Sequence, residues 1–334
     1  MKCLTALCLI VLTVAALGAC GSKHDALAPV GRQPFNLVLD YLPNADHAGI
    51  YGALAAGDFA RAGIDVSVHA PSDPSAPLKL LASGRADMAI SYEPELLLAR
   101  DRGLKLVSVG ALVQRPLTSI IAVGKRHISQ AAQLAGRTVG TAGIPYQSAE
   151  LQTILSGAHS AAPAHEVNVG FDLVPAMLSG KVDATLGGFW NYEAIQLEMA
   201  RQNPTVIRVD DVGVPTYDEL VMVVRQDEAH LQGARIRAFL QALTRGEQAM
   251  RSDPARAADE LVAANPDLDR RLQLASIQRT LPVVFPTKAA EPFGYQDPQA
   301  WDVFGTWMFE HRLLKQPPSA GLALTNEFLP GQGI

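Results

Sequence analysis

The chain has 334 residues, of which 48% are hydrophobic and 18% are charged, and its formal net charge at pH 7 is −5. This is the composition of a soluble globular protein long enough for two domains, and nothing in the charge argues for a nucleic-acid partner. The only cysteines are Cys3, Cys8 and Cys20. Because all three lie within the first 20 residues, the remainder has no thiol, which excludes disulfides, thiolate catalysis and cysteine–metal sites there.

The N-terminal segment has the features of an export signal. An apolar run from Leu4 to Leu17 is too short to span a membrane comfortably. It ends in Leu17-Gly18-Ala19-Cys20, which resembles the bacterial lipobox, where cleavage precedes a cysteine that is then lipidated. We therefore predict a lipoprotein signal peptide over residues 1–19, a lipid on Cys20 and a flexible tether over residues 20–33. An ordinary signal peptide with a chance cysteine is the alternative.

The rest of the chain alternates short apolar runs with helical segments, which is the pattern of parallel α/β sheets. The predicted strands are 35–39, 66–69, 88–90, 106–112, 118–123, 138–140, 167–169, 184–186, 206–209 and 220–224. The predicted helices are 45–62 with a break at Gly57, then 77–83, 94–102, 129–135, 147–157, 172–179, 191–202, 231–251, 254–264, 268–280 and 298–314. We expect one lobe of residues 34–122 and 221–334 and a second of residues 123–220, joined by two crossings.

Two similar stretches, 81–90 and 177–186, each combine a helix end, a glycine turn and a short apolar strand. The first strand is followed by Ser91-Tyr92-Glu93 and the second by Gly187-Gly188-Phe189-Trp190-Asn191. Ligands of open α/β sheets bind beyond the carboxyl ends of strands. The repeat therefore predicts two lobes that face one cleft.

Tyrosine and tryptophan are concentrated in segments of this kind. Those in or near predicted post-strand segments are Tyr41, Tyr51, Tyr92, Tyr146, Trp190, Tyr192 and Tyr217. Flat side chains with a polar tip suit a stacked heterocycle better than a sugar phosphate. Filling of the core at helix starts is the alternative, and for Tyr51 and Tyr192 singly it is about equally good.

Several segments resemble one family in order and spacing: 39–47, 72–75, 90–94, 109–117, 167–176 and 187–193. The family is the pyrimidine-precursor/thiamine-biosynthesis family of type II periplasmic binding proteins. The resemblance covers about residues 34–285 and implies an α/β fold of two lobes with a two-strand hinge and a central ligand cleft.

The resemblance also implies a function. The chain would be the substrate-binding lipoprotein of an ABC importer, capturing a thiamin pyrimidine precursor of the formylaminopyrimidine kind and delivering it to the permease and ATPase subunits. We expect an exported monomer, held at the cell membrane or outer membrane by its lipid alone and facing the periplasm or cell exterior, with no cofactor and no metal. Riboflavin or another flat heterocycle is the alternative ligand.

An alternative of a different class is a pyrimidine synthase of the same superfamily, which consumes its own histidine and bound pyridoxal phosphate. Its lysine and histidine positions are occupied here by Ser91 and Glu95, its phosphate loop would fall at Gly143-Ile144-Pro145-Tyr146, and its cysteine cluster near residues 212–220 has no cysteine. Without an amine for the aldehyde that chemistry cannot run. The enzyme interpretation is therefore disfavoured.

The expected site is a clamp in which Trp190 and either Tyr41 or Tyr92 stack on the two faces of an aminopyrimidine. Glu93, Glu193 or Glu219 would read its amine edge through paired hydrogen bonds, and Asn44 and Asn191 would hold the remaining amide or formyl group. His47 is equally well explained as a histidine bonded to backbone at a helix start. The complete predicted set is Asp40, Tyr41, Asn44, His47, Ser91, Tyr92, Glu93, Gly143, Phe189, Trp190, Asn191, Glu193, Tyr217 and Glu219.

Overall fold

The computed structural model describes residues 31–331. Its strands are β1 (Gln33–Val38), β2 (Ile64–His69), β3 (Met88–Ser91), β4 (Leu106–Val113), β5 (Thr118–Ala122), β6 (Thr138–Thr141), β7 (His165–Asn168), β8 (Ala184–Phe189), β9 (Thr205–Arg208) and β10 (Leu220–Arg225). The predicted signal peptide, the lipidation site Cys20 and most of the predicted tether lie outside the described residues.

The α-helices alternate with the strands and then dominate the C-terminal third. They span Ala48–Ala56, Asp58–Arg61, Pro77–Ala82, Glu93–Asp101, Gln147–Gly157, Leu173–Ser179, Glu193–Met199, Gln226–Leu231, Gly233–Ser252, Pro254–Ala264, Arg270–Val284, Pro298–Glu310 and Ala320–Ala323. Short 3₁₀ turns lie at Ala45–His47, Gly124–Arg126, Ala131–Leu134 and Val209–Val212. The predicted helix 129–135 is thus only a 3₁₀ turn. The predicted helix 231–251 corresponds to Gly233–Ser252, and an additional short helix, Gln226–Leu231, precedes it.

The predicted break at Gly57 is present. Gly57 has φ +75°, in the left-handed region that glycine adopts without a steric penalty. Its N–H donates to the carbonyl oxygens of Ala53 and Leu54 and so caps the end of the helix. The following helix then starts at Asp58. The glycine therefore divides the predicted helical segment into two helices.

The strands form two five-stranded sheets of the same design. The order is β2-β1-β3-β10-β4 in the first and β7-β6-β8-β5-β9 in the second. Strand β10 runs antiparallel to β3 and β4, and β5 runs antiparallel to β8 and β9, whereas the neighbours of β1 and of β6 are parallel. In each sheet, the strand that follows a crossing between the lobes, β5 or β10, is thus antiparallel to both of its neighbours. The predicted two-lobed α/β fold is confirmed.

The first crossing lies earlier than the sequence predicts. The sequence predicts residues 118–122 in lobe 1, but β5 pairs with β8 and β9 in the second sheet, so the chain crosses between Gln114 and Leu117. The chain returns between β9 and β10, within residues 209–219. Both β4 and β5 are apolar and fully buried, so composition alone does not separate them. Pro116, which has no backbone N–H, marks the break.

Neither membrane spans nor metal sites are found in the described part of the chain. No helix between residues 31 and 331 combines the length and apolar character needed to cross a bilayer. In the same residues, no three histidine, cysteine, aspartate or glutamate side chains are grouped so that they could hold a metal ion.

Candidate ligand cleft

The segments that follow β1, β3, β6 and β8 meet between the two lobes and enclose a small cavity. Its free volume is about 20 Å³, room for about one water molecule. The lining residues are Asp40, Tyr41, Asn44, Tyr92, Ala142, Ile144, Tyr146, Gln147, Leu173, Gly187, Phe189, Tyr192 and Glu193. A cavity of this size is too small to hold a pyrimidine ring.

The cavity is continued outward by a larger recess, which we call the vestibule. It has a volume of about 210 Å³ and shares Tyr41, Asn44, Leu173, Tyr192 and Glu193 with the inner cavity. We use the term cleft for the inner cavity and the vestibule together. Its shared wall is formed by residues of both lobes.

The wall from lobe 1 is organised by Asp40. Its Oδ1 accepts from His47 Nε2 at 2.9 Å and its Oδ2 accepts from the Tyr92 hydroxyl at 2.8 Å. His47 Nδ1 accepts from the backbone N–H of Asn44 at 3.2 Å, which assigns the ring proton to Nε2. His47 is fully buried behind Asp40 and does not line the cavity. It positions Asp40, which in turn orients Tyr92.

Glu193 is the acidic group of the opposite wall. It begins the helix Glu193–Met199, and its Oε2 accepts from the backbone N–H of Phe189 at 2.7 Å. Burial, opposed by this hydrogen bond, raises the pKa of Glu193 to about 7. The carboxyl group can therefore act at neutral pH either as a donor and acceptor or as an acceptor alone.

Tyr41 contributes an unpartnered polar atom. Its hydroxyl is buried without a hydrogen-bond partner among the described residues, and burial raises its pKa above the ordinary value. The ring packs edge-on against Phe171 of lobe 2, with centroids 4.6 Å apart. Tyr41 thus lies across the cleft with one hydrogen-bonding group unused.

The second lobe supplies cleft residues that the predicted set missed. Tyr146 lies 6.0 Å from Tyr92 between ring centroids, across the lobes. Gln147 packs on Gly187, where an added Cβ would lie 2.2 Å from Gln147 Nε2. Tyr146 and Gln147 follow β6 just as Tyr92 follows β3, so the rule of contacts beyond strand ends would have found them.

Trp190, expected to stack on the ligand, does not line the cleft. Its Nε1 donates to the carbonyl oxygen of Pro116 at 2.9 Å, and the guanidinium of Arg208 lies 4.9 Å from its ring centroid. Its indole N–H and one ring face are therefore engaged beside the first crossing. The neighbouring Phe189, the last residue of β8, lines the cavity instead, whereas Trp190 lies in the turn that follows the strand.

Glu219 and Tyr217 lie at the hinge and not in the cavity. Glu219 accepts from the backbone N–H groups of Leu117 and Thr118, at 2.6 and 2.8 Å, and from the Thr118 hydroxyl at 2.8 Å. The Tyr217 hydroxyl donates to Glu219 at 3.3 Å. Burial raises the pKa of Glu219 to about 7. This carboxyl group ties the returning segment to the outgoing one.

Glu93 faces away from the cleft, toward a recess of about 170 Å³ at the hinge. Its Oε2 accepts from the backbone N–H of Asp218 at 2.7 Å. Ser91 donates to Glu95 at 2.7 Å inside lobe 1. Gly143 has φ +78° and lies between cavity residues without lining the cavity itself. None of Ser91, Glu93 and Gly143 therefore contacts the cavity.

Two five-stranded lobes of this topology, joined by two crossings of the chain and with a lined cleft between them, are the architecture of a type II periplasmic binding protein. More specifically, the chain belongs to the family described as NMT1/THI5 like, whose model matches residues 44–257.

Individual relatives include both binding proteins and enzymes. The chain is 31% identical over 315 residues to the formylaminopyrimidine-binding protein of Halalkalibacterium halodurans, covering 92% of this chain and 94% of that protein. It is 23% identical over 310 residues to the 4-amino-5-hydroxymethyl-2-methylpyrimidine phosphate synthase THI13 of Saccharomyces cerevisiae, covering 87% and 86%.

Among solved structures, the alkanesulfonate-binding protein SsuA from Xanthomonas axonopodis pv. citri, bound to MOPS, superposes with a TM-score of 0.68. The match covers 88% of this chain and 99% of that one, at 14% sequence identity. This likeness concerns the fold alone.

Proposed function

We propose that this chain is the ligand-capturing lipoprotein of an ABC importer and that its ligand is a thiamin pyrimidine precursor of the formylaminopyrimidine kind. The observation that carries the proposal is the cleft itself, which combines aromatic walls with the carboxyl group of Glu193. The similarity to a formylaminopyrimidine-binding protein over nearly the whole chain supports the same ligand class.

The carboxyl group of Glu193 can pair with the hydrogen-bonding edge of this ligand. An aminopyrimidine presents an amine donor beside a ring-nitrogen acceptor, and a protonated Glu193 offers one acceptor and one donor in the same spacing. If the ring nitrogen carries the proton instead, an ionised Glu193 accepts two hydrogen bonds. Since the pKa of Glu193 is about 7, both forms are accessible near neutral pH. The unused Tyr41 hydroxyl is available to a polar substituent of the ring.

A binding role is favoured over the synthase alternative by the surroundings of Ser91. Where the synthase resemblance requires a lysine and a histidine, Ser91 donates to Glu95, and both side chains are buried. Burial, opposed by the bond from Ser91, raises the pKa of Glu95 to about 7. The pair provides neither a Schiff-base amine nor an imidazole, so no catalysis is proposed.

Titration calorimetry of the Cys20→Ser chain with formylaminopyrimidine tests the proposal. We expect Glu193→Gln to weaken binding at least tenfold, about 1.4 kcal/mol, with little change in melting temperature, because the amide keeps the shape but replaces an acceptor oxygen with a donor. Glu310→Gln, an exposed glutamate of the helix Pro298–Glu310, is the matched control.

Riboflavin and thiamin are titrated in parallel. Tighter binding of riboflavin would replace the pyrimidine proposal with the alternative flat heterocycle, and chemical conversion of the ligand would favour the enzyme. Unchanged affinity in Glu193→Gln would place the ligand elsewhere.

The lipoprotein part of the proposal has its own test. In a bacterial host, Cys20→Ser should release the protein from the membrane, because the thiol is the acceptor of the lipid, and the mass of the mature protein should lose that of the acyl groups. A mutant that stays membrane-bound with unchanged mass would remove this part of the proposal and leave the ligand question untouched.

A further inference from the structure

Asn191 joins the two lobes without lining the cleft. From lobe 2, its Nδ2 donates to Asp46 Oδ1 at 2.7 Å and to Thr280 Oγ1 at 2.6 Å. Thr280 Oγ1 also lies 3.2 Å from Asp46 Oδ1 and 2.8 Å from the carbonyl oxygen of Ser276. Asp46, Asn191 and Thr280 are all buried, and none lines the cavity or the vestibule. This contact therefore belongs to lobe closure and not to the ligand.

The same contact leaves two oxygens unsatisfied. Asp46 Oδ2 and Asn191 Oδ1 are both buried without a hydrogen-bond partner among the described residues. The orientation of the Asn191 amide is set by its contact with Asp46 Oδ1, since the reversed amide would place two acceptors together. An ionised Asp46 has no proton to give to Asn191 Oδ1, and an unmet buried acceptor is costly.

Asp46 has no basic partner. Lys and Arg form no ion pair with it in residues 31–331. Burial raises the pKa of Asp46 to about 6; a positive charge on His47 would oppose this rise, as do the hydrogen bonds from Asn191 and Thr280. Other ionisable groups that influence it, or are influenced by it, are Asp40 beside His47, Glu247 on the helix Gly233–Ser252, and Glu193 and Tyr192 of lobe 2.

We propose that Asp46 and Asn191 form a proton-dependent latch between the lobes. On closure, Asp46 Oδ2 takes up one proton from solvent, and the resulting carboxylic acid pairs with the Asn191 amide through two hydrogen bonds. The proton supplies the donor that Asn191 Oδ1 lacks, while Asn191 Nδ2 continues to donate to Asp46 Oδ1. Thr280 completes the latch by accepting from the same amide nitrogen.

The sign of the pH dependence follows from burial. When the lobes open, Asp46 regains solvent and its pKa falls toward the ordinary aspartate value, so the closed form holds more protons than the open form. Closure is therefore favoured as the pH falls through about 6. Between pH 7 and pH 5 the ratio of closed to open protein should rise about tenfold through Asp46 alone.

The latch is measured without any ligand, so its failure is distinct from failure of the proposed ligand class. Nitroxide labels at Ser72→Cys in lobe 1 and Ser156→Cys in lobe 2 report the distance between lobes by pulsed electron resonance. Both positions are exposed. Cys3, Cys8 and Cys20 are replaced by serine so that only these two sites react. The closed fraction is recorded from pH 7.5 to pH 5 in the ligand-free chain.

Two single variants separate the effect of protonation on closure from the effect of side-chain pairing. Asp46→Asn supplies a permanent N–H donor in place of the acid O–H, so it should close at all pH values and lose the tenfold response. Any response that remains is due to Glu193 or other groups. Asn191→Asp places two carboxyl groups face to face, so closure should require a lower pH than in the wild type.

The double variant Asp46→Asn/Asn191→Asp is the decisive arm. It exchanges the acid and the amide across the interface, so pairing and the pH response should both return. Arg279→Gln is the control, because it breaks the exposed bidentate contact between Arg279 and Glu198 and should leave the response intact.

Three outcomes would overturn the latch: a wild-type closed fraction independent of pH, an Asp46→Asn variant that keeps the full response, or a double variant that behaves like Asn191→Asp. Circular dichroism at each pH establishes that every variant is folded. If Asp46→Asn does not fold, Asn191→Asp and the double variant decide the question.

Discussion

Glu219 at the hinge and Glu193 in the cleft are the same residue type with similar burial, and the pKa of each is raised to about 7 by burial. They differ in their partners. Glu219 receives two backbone N–H groups and the Thr118 hydroxyl, which all belong to the other crossing segment. Glu193 receives the N–H of Phe189 and faces a cavity. A buried carboxyl group whose acceptor capacity is used by the chain holds the fold, whereas one that faces a cleft is available to a ligand.

The largest expected effect is a loss of stability when the carboxyl group at the hinge is removed. Glu219→Ala removes the acceptor of four buried donors, so we expect the free energy of unfolding to fall by at least about 3 kcal/mol, measured by urea denaturation. Glu219→Gln keeps one acceptor oxygen and should lose less. A loss below about 1 kcal/mol in Glu219→Ala would show that water replaces the carboxyl group and that the hinge does not depend on it.

A second prediction concerns the pH dependence of stability. Several buried carboxyl groups have a pKa raised chiefly by burial, to about 8 for Glu150 and Glu247 and about 7 for Glu219. The folded state therefore binds more protons than the unfolded state between pH 4.5 and pH 8. Stability from these groups is fully present below their unfolded pKa and is lost as the pH rises through the folded values, by at most about 1.4 kcal/mol per group per pH unit.

Urea denaturation at pH 5, 6, 7 and 8 should therefore give a free energy of unfolding that decreases with pH. Glu150→Gln should flatten the decline, because one of the protonated acids is then replaced by a group that does not titrate. The exposed Glu310→Gln should leave the slope unchanged. A free energy that rises over this range would contradict the proton uptake.

The smallest expected effect on binding is at Trp190. Because Trp190 is bonded to Pro116 and covered by Arg208, Trp190→Ala should lower stability by about 2 kcal/mol while the affinity of the folded protein changes less than threefold. Phe189→Ala, one residue away on the cavity wall, should do the reverse. Its affinity, measured by calorimetry, should fall more than its stability, measured by thermal melting. Loss of binding in Trp190→Ala without loss of stability would restore the stacking role predicted from the sequence.

The sequence predicted the two lobes and most of the strands because alternation of apolar strands and helices is a local signal. It also placed Asp40, Tyr41, Asn44, Tyr92, Phe189 and Glu193 at the cleft, since contacts beyond strand ends follow from sheet geometry. It could not tell which side of the chain each residue faces just beyond a strand. Tyr92 and Glu93 are adjacent yet line different cavities. Of the adjacent Phe189 and Trp190, only Phe189 lines the cleft.

The roles of Asn191 and Glu219 were beyond prediction for another reason. Asn191 meets Asp46 and Thr280, which are 145 and 89 residues away, and Glu219 meets residues about 100 positions earlier. Pairing over such separations depends on how the two lobes close, which no local pattern encodes.

The position of β10 between β3 and β4 has a consequence for the order in which the chain acquires structure. Lobe 1 lacks an inner strand until residues 220–225 are present, whereas β5 to β9 form a contiguous stretch that closes its own sheet. We expect the inserted lobe to gain protected amides first during refolding, and β3, β4 and β10 to gain them together afterwards, as pulsed hydrogen exchange would register. In a chain synthesised from its N-terminus, residues 33–113 would thus lack a complete sheet until residues 220–225 have been made.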